Sequence, residues 1–217
     1  MNTFEVHTVD QLRIERVVTS GTFDIDGGSW PVDNNVWLVG DDSEVVVIDA
    51  AHSAAAILDA VAARDVRAIV CTHGHNDHIG AAVDLASATD APVYLHPGDD
   101  MLWRSAHAEY RYRRLEHDQV LRVAGGELRV VHSPGHSPGS VCLYAPDVDV
   151  LFSGDTLFPG GPGATNRSYG DFLTIVDSLR CLFFDFPGPT RVYPGHGDTT
   201  NLNAERPELN SWVQRGY

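Results

Sequence analysis

The sequence contains no lysine, because all 15 of its basic residues are arginine. This absence excludes a Schiff-base enzyme, a Ser-Lys hydrolase and a Walker A nucleotide-binding site, since each of these uses a lysine amine. The 15 basic residues are outnumbered by 30 acidic ones, which gives a formal net charge of −15. Nucleic acids and anionic membranes are normally bound by basic patches, so we expect neither as a partner.

Cysteine and long apolar runs are also scarce. The three cysteines, Cys71, Cys142 and Cys181, form no C-x-x-C pair, and we interpret them as core thiols in a reducing compartment. Residues 1–16 carry charges throughout, and no apolar run approaches the ~18 residues of a membrane helix. We therefore expect a soluble cytoplasmic protein in which residues 1–217 form a single domain.

Apolar runs typical of strands alternate with stretches typical of helices along most of the chain. Strands are predicted over residues 35–39, 44–48, 67–71, 92–95, 120–123, 127–132, 140–144, 148–152 and 191–193. Helices are predicted over residues 53–63, 81–88 and 171–184, the last with Asp171 as its N-cap. Residues 98–118 show no clear period and are predicted to form irregular helix and loop, and the C-terminal tail is polar. Each half has strands followed by a helix, which indicates two sheets with helices outside.

The strongest local motif is the segment Thr72-His73-Gly74-His75-Asn76-Asp77-His78, which directly follows the apolar run at residues 68–71. It places three histidines and one aspartate within six residues, where a strand is predicted to end and a helix to begin. Histidine and aspartate are common metal ligands, and their side chains can converge on a small volume from such a loop.

Three further loops repeat this arrangement, with a ligand-type residue just beyond a predicted strand. His136 follows Gly135, Asp155 follows Gly154, and His196 follows Gly195. A preceding glycine lets the backbone turn sharply near a metal. Together the four loops supply five histidines and two aspartates, which is enough for two metal ions.

These loops, in this order, resemble the metallo-β-lactamase superfamily, and the match runs from about Asn34 to His196. The resemblance implies an α+β fold, namely a four-layer αββα sandwich of two mixed β-sheets with helices on the outside. It assigns His73, His75 and His136 to one metal and Asp77, His78 and His196 to a second, with Asp155 as the bridge. It gives catalytic roles to Asp77 and Asp155, and it makes Asp49 an acid that orients a ligand histidine.

Within the superfamily, the all-His/Asp ligand set and the Gly160-Gly161-Pro162-Gly163 loop are similar to short glyoxalase II-like hydrolases. This resemblance implies a hydrolase of small-thiol thioesters that uses a metal-bridging hydroxide and two divalent ions. Zinc is the expected metal, with iron or manganese as alternatives. A mononuclear iron persulfide dioxygenase, holding iron with His73, His136 and Asp155, and a lactone hydrolase remain as alternative functions.

The lysine-free composition bears on the substrate. Longer glyoxalase II enzymes hold the carboxylates of glutathione with basic residues that include lysine. We therefore expect either a different carrier here, such as a sugar-based thiol, or recognition through the acid part of the ester. Candidate substrate contacts are Arg167, Tyr169, Tyr110 and Arg111, although the arginines near residue 111 also fit a solvated helix face. His52 is predicted to line the cleft, and no role is predicted for His107 or His117.

Overall fold

The computed structural model describes residues 3–9 and 12–216. Its larger sheet has seven strands that lie in the same order as in the chain. They are β1 (Thr3–Val9), β2 (Leu12–Ile25), β3 (Gly28–Gly40), β4 (Glu44–Ile48), β5 (Asp65–Val70), β6 (Val93–Leu95) and β7 (Arg113–Arg114). Strands β1 to β4 pair antiparallel and strands β4 to β7 pair parallel, so the sheet is mixed. The predicted domain also includes residues 1, 2, 10, 11 and 217, which lie outside the described residues.

The second sheet has six strands in the order β15-β14-β11-β10-β9-β8. They are β8 (Val120–Val123), β9 (Gly126–His132), β10 (Val141–Ala145), β11 (Val150–Gly154), β14 (Arg191–Pro194) and β15 (Thr200–Asn201). Strands β11 and β14 are parallel, while the other pairs are antiparallel. Two short strands, β12 (Leu157–Phe158) and β13 (Gly161–Pro162), pair with each other.

Helices connect the strands and follow the last of them. They are α1 (Ala54–Val61), α2 (Asn76–Ile79), α3 (Ala82–Thr89), α4 (Asp100–His107), α5 (Phe172–Asp185), α6 (Leu202–Glu205) and α7 (Leu209–Arg215), with 3-10 turns at Pro97–Asp99 and Arg206–Glu208. The predicted cap of α5 is confirmed, because a side-chain oxygen of Asp171 accepts a hydrogen bond from Thr174 N at 2.7 Å. In the described part of the chain, no helix has both the length and the apolar character that crossing a membrane requires.

The buried apolar side chains divide into three clusters that define four layers. Successive residues of a strand point to opposite faces of the sheet, so each sheet contributes to two clusters. Trp37 and Phe152 lie in the cluster between the sheets. Leu85 packs in the cluster between the first sheet and its helices, and Leu179 and Trp212 pack in the cluster on the outer face of the second. The predicted αββα sandwich, with two mixed sheets and helices on the outside, is therefore confirmed.

The hairpin of β2 and β3 was not predicted from the sequence. It pairs residues from Arg13 with Gly40 to Ile25 with Gly28. Its turn residues Asp26 and Gly27 have φ of 53° and 76°, which suits a two-residue type I′ turn. Residues 20–33 are exposed or half-buried, and the alternation of Phe23 and Ile25 with polar residues is too short, beside three glycines, to identify a strand by itself.

Two predictions need correction. The segment over residues 98–118 is more regular than predicted, since it contains α4 and β7. For the polar tail no secondary structure is predicted; it forms α6 and α7, and its one tryptophan, Trp212, is buried against α5. Cys71 and Cys142 are buried, as predicted, but Cys181 is exposed on α5 and is not a core thiol.

Candidate metal centre

The seven predicted metal ligands lie in segments that directly follow strands. His73 and His75 lie in the loop after β5, and Asp77 and His78 lie in the short helix α2 that follows this loop. His136 lies between β9 and β10, Asp155 after β11, and His196 after β14. Strands β11 and β14 are parallel neighbours, so their carboxyl ends meet, and Gly195 N donates to Gly154 O at 2.8 Å. The structure brings all seven side chains into one buried cluster.

Three histidines form the first group. Nε2 of His73 and Nε2 of His136 each lie 3.0 Å from Nδ1 of His75. Zinc holds nitrogen ligands at ~2.0–2.1 Å, and tetrahedral angles then separate two such nitrogens by about 3.3 Å. The three nitrogens are therefore close enough together to share one ion.

Asp77, His78 and His196 form the second group. Oδ2 of Asp77 lies 3.4 Å from Nε2 of His78 and 3.3 Å from Nε2 of His196. The two nitrogens are 3.1 Å apart. These three atoms also surround a volume that one metal ion can occupy.

Asp155 lies between the two groups. Its Oδ2 is 3.6 Å from Nε2 of His136 in the first group and 3.4 Å from Nε2 of His196 in the second. Its Oδ1 is 3.4 Å from Nε2 of His78. One carboxylate thus reaches both groups, as a bridging ligand must.

Four of the five imidazoles use their second nitrogen to bond to an oxygen atom. The contacts are His73 Nδ1 to Thr72 Oγ1 (3.1 Å), His78 Nδ1 to Asp49 Oδ2 (3.0 Å), His136 Nδ1 to Ala164 O (2.8 Å) and His196 Nδ1 to Asp33 O (2.8 Å). A proton on each Nδ1 satisfies these contacts and leaves the Nε2 lone pair free to face the cluster. The surroundings therefore favour the tautomer that binds a metal.

Asp49 links two of these contacts. Its Oδ2 lies 3.0 Å from Nδ1 of His78 and accepts a hydrogen bond from Thr72 Oγ1 at 2.8 Å. Its Oδ1 accepts a hydrogen bond from Thr72 N at 2.7 Å. Because Thr72 Oγ1 also contacts His73, one buried carboxylate orients a histidine from each group.

Glycine is required where the backbone approaches the cluster most closely. A Cβ at position 195 would lie 2.5 Å from Asp155 Oδ1 and 2.5 Å from His78 Cε1. Gly154 has φ of +48°, and a Cβ there would lie 2.4 Å from Thr72 Oγ1. A larger residue at either position would displace the side chains of the cluster.

The pKa values of the cluster reflect its burial and its charges. Burial, together with nearby His136, lowers the pKa of His75 to about 3. Burial also opposes the charged form of His196, but Asp155 and Asp77 outweigh it and raise its pKa to about 10. Burial would raise the pKa of Asp77, but His78 and His196 lower it to about 2. Burial would also raise the pKa of Asp155, but His196 and His78 hold it well below its usual value. Asp77 and Asp155 therefore stay ionised and need positive charge beside them.

Two carboxylate oxygens in the cluster lack hydrogen bonds. Oδ1 of Asp77 and Oδ1 of Asp155 are buried and have no hydrogen-bond partner in the part of the chain that the structure describes. Leaving a buried charged oxygen unpaired is costly. Cations beside these oxygens would offset the cost, so the residues present fit two divalent metal ions.

The tip of the β2–β3 hairpin meets residues 167–169 near the cluster. Asp26 accepts hydrogen bonds from the backbone N, at 3.1 Å, and the hydroxyl of Ser168, and the Arg167 guanidinium lies 4.3 Å from the centre of a Trp30 ring. Phe23 contacts His75 edge-on, with ring centres 5.1 Å apart. The predicted substrate contact Arg167 thus packs on the β2–β3 hairpin, whose Phe23 contacts the candidate ligand His75.

The other predicted substrate contacts line two separate grooves. Tyr169 is exposed and lines a groove of 400 Å³ with Met101 and Asp26. Tyr110 and Arg111 line a different groove of 630 Å³, which none of the seven ligand residues lines. The structure therefore brings Arg167 and Tyr169 close to the hairpin tip but does not bring Tyr110 and Arg111 to the cluster.

Sequence reasoning missed Asn34 as a site residue. Its side chain is fully buried, and its Nδ2 donates to Asp77 Oδ2 at 3.0 Å. Its Oδ1 lies 2.7 Å from Nε2 of His52. The ring of His52 therefore bonds to Asn34 and not to one of the seven predicted ligands. The only signal in the sequence is a pair of asparagines at the start of an apolar strand, where asparagine is uncommon.

The remaining histidines with described side chains lie outside the two groups. His96 stacks on His132 with ring centres 4.0 Å apart. Nε2 of His107 lies 2.8 Å from Ile79 O, and Nδ1 of His117 accepts from His132 N at 3.2 Å.

Comparison with known proteins agrees with this architecture. The family described as the metallo-beta-lactamase superfamily matches residues 29–197. A relative from Haemophilus influenzae, named hydroxyacylglutathione hydrolase GloC, is 27% identical over 82% of this chain and 93% of its own length.

Two solved structures are also similar. The crystal structure of TTHA1623 in a di-iron-bound form is 36% identical, covers 82% of this chain and 94% of its own, and has a TM-score of 0.73. The crystal structure of BLEG-1 B3 metallo-beta-lactamase is 30% identical, covers 87% and 97%, and has a TM-score of 0.72. The family match, the two sheets and their helices together show that this chain belongs to the metallo-beta-lactamase superfamily.

Proposed function

We propose that this protein is a dinuclear metal-dependent hydrolase that cleaves thioesters of a small thiol. The convergence of two ligand groups on one bridging carboxylate, Asp155, carries the proposal. One ion would be held by His73, His75 and His136, and the other by Asp77, His78 and His196. Both ions would contact Asp155.

Two bound divalent ions supply an activated water and a polarised substrate carbonyl. The chain itself supplies orientation and charge. Asp155 is within reach of both groups, and Oδ1 of Asp77 has no hydrogen-bond partner among residues 3–9 and 12–216. We assign that oxygen to orient the attacking water. No serine, cysteine or lysine nucleophile is needed, which agrees with a sequence that lacks lysine.

The ligand chemistry bears on the choice of metal. Imidazole and carboxylate groups suit zinc, iron and manganese, whereas the thiolate ligands that select softer metals are absent from the seven residues. Zinc is our first choice, and the similar di-iron-bound TTHA1623 makes iron the leading alternative.

The proposed substrate class draws on the similarity to hydroxyacylglutathione hydrolase GloC. With no lysine in the chain, arginine is the side chain that carries a permanent positive charge and could bind the carrier. Arg167 is exposed at the hairpin tip and is held against Trp30. We therefore propose that Arg167 contacts the carrier, and that the carrier is a small thiol such as a sugar-based one.

The alternatives differ in the number of metals and in the bond cleaved. A mononuclear iron dioxygenase would use His73, His136 and Asp155, and would leave the second group without an ion. That second group is packed as closely as the first, with ligand atoms 3.1 to 3.4 Å apart, which favours two ions. A lactone hydrolase would use the same two ions, so only substrate tests separate it from a thioesterase.

The test is a panel of thioesters, lactones, penicillins and glutathione persulfide, assayed with the purified protein before and after chelation. We expect thioester turnover that chelation removes and metal restores. Oxygen consumption on the persulfide, or turnover of only lactones or penicillins, would contradict the proposal. Asp155→Asn should abolish turnover, while the matched control Asp185→Asn, on an exposed residue of α5, should keep it.

A further inference from the structure

A buried carboxylate outside the ligand set joins the loops of the first group. Asp99 lies in the turn that precedes α4 and is completely buried. It is not one of the residues that converge on the metal positions. Since burying a carboxylate is costly unless it is well hydrogen-bonded, its partners explain its presence.

Both oxygens of Asp99 accept hydrogen bonds from the ligand loops. Oδ2 accepts from Gly74 N at 2.7 Å and from Ser137 Oγ at 2.6 Å. Oδ1 accepts from Gly139 N at 2.6 Å. Gly74 lies between His73 and His75, and Ser137 follows His136 directly. One carboxylate therefore ties the loop of two ligands to the loop of the third.

The backbone is packed tightly at this junction. A Cβ at position 74 would lie 2.9 Å from Asp99 Cβ, and a Cβ at position 139 would lie 2.6 Å from Asp99 Cγ. A Cβ at position 98 would lie 2.7 Å from Pro138 O. Glycine at these positions lets the three loops touch directly, so a change at Asp99 is transmitted to both ligand loops.

We propose that Asp99 is a positioning residue that fixes the spacing between the His73–His75 loop and His136, and thereby sets the affinity of the first metal position. This inference rests on the metal-binding part of the proposed function. It adds that each position has a support of its own besides the shared Asp49, because Asn34 contacts the second group and Asp99 ties together the loops of the first.

The substitution Asp99→Asn tests this role with little change in shape. An amide offers one oxygen where the carboxylate offered two, and its NH₂ group must face at least one of the three donors. We expect the affinity of the first metal position to fall about 10- to 100-fold, the range for losing a group that supports metal ligands. The second position should stay within about threefold of the wild type, because its ligands do not come from the His136 loop.

The measurement is a stepwise cobalt titration of the metal-free protein against a competing chelator, followed by the visible absorption of bound cobalt. Asp100→Asn is the matched control: the neighbouring carboxylate is part-exposed and bonds Arg104 and Tyr112 instead. Ser137→Ala, which removes one of the three bonds, covers the case in which Asp99→Asn does not fold, and should weaken the same position to a smaller extent. Urea unfolding of the metal-free proteins shows whether stability changes as well.

A selective loss at one of two cobalt positions, with a changed absorption spectrum and a normal Asp100→Asn protein, would support the role. Unchanged affinity and spectrum at both positions would overturn it, even if the variant unfolds more easily, because Asp99 would then be only structural. An equal loss at both positions would also overturn it. If the wild type binds no cobalt, the metal-binding proposal fails and this inference fails with it.

Discussion

The substitution Asn34→Ala should weaken the second metal position and leave the first nearly unchanged. Asn34 is fully buried and donates to the same Asp77 oxygen, Oδ2, that faces His78 and His196. Its other side-chain atom, Oδ1, is held by His52 at 2.7 Å. The alanine variant removes both contacts and leaves Asp77 free to rotate away from its two histidine neighbours.

A hydrogen bond to a charged group contributes about 1.5–3 kcal/mol, and about 1.4 kcal/mol corresponds to a tenfold change in binding. We therefore expect the dissociation constant of the second metal to rise by roughly 10- to 100-fold. Chelator competition with isothermal calorimetry measures both dissociation constants in one experiment. Asn210→Ala, on an exposed asparagine of α7, is the control for the loss of an amide. Equal affinities in wild type and Asn34→Ala would show that Asn34 does not hold Asp77 in place at the second metal position.

Three further predictions concern charge, space and substrate. In the metal-free protein, the folded-state pKa of His196 is about 10, above its unfolded value of about 6.5. Protonated His196 therefore contributes on the order of a few kcal/mol to the free energy of unfolding below pH 6.5, and this contribution is lost as pH rises towards 10. Urea unfolding should show this decline in stability for the metal-free protein and not for the metal-loaded protein. Gly195→Ala should lower metal content sharply, because the new Cβ would lie 2.5 Å from Asp155 Oδ1; full metal content by elemental analysis would contradict this. Arg167→Met should raise KM for the thioester about tenfold with little change in kcat, because it removes the cation beside Trp30, and an unchanged KM would exclude Arg167 as a substrate contact.

The positions of the candidate ligands could be predicted because their signal is local. Four of the seven lie within residues 73–78, and each of the others follows a glycine just after a strand or in a loop between strands. Parallel pairing of β11 with β14 then brings two of these loops together. The layers could also be predicted, since buried strands and the amphipathic α5 have clear apolar patterns.

The supporting residues could not be predicted, because their roles arise only from the packing of distant segments. Asn34 and Asp77 are separated by 43 positions, and Asp99 and Gly139 by 40. In a sequence, a single asparagine or aspartate outside a motif is usually interpreted as a turn residue. The β2–β3 hairpin was missed for a different reason, because the apolar alternation in its outer half covers only a few residues beside three glycines, and none of residues 20–33 is fully buried.

We propose that activity requires two metal ions held by this cluster. A titration of the metal-free protein with zinc, in which thioester turnover and bound metal are recorded on the same samples, tests this requirement. Turnover should rise until two ions are bound per chain and then stay constant. Full turnover with one ion bound, or turnover that persists with none, would contradict it.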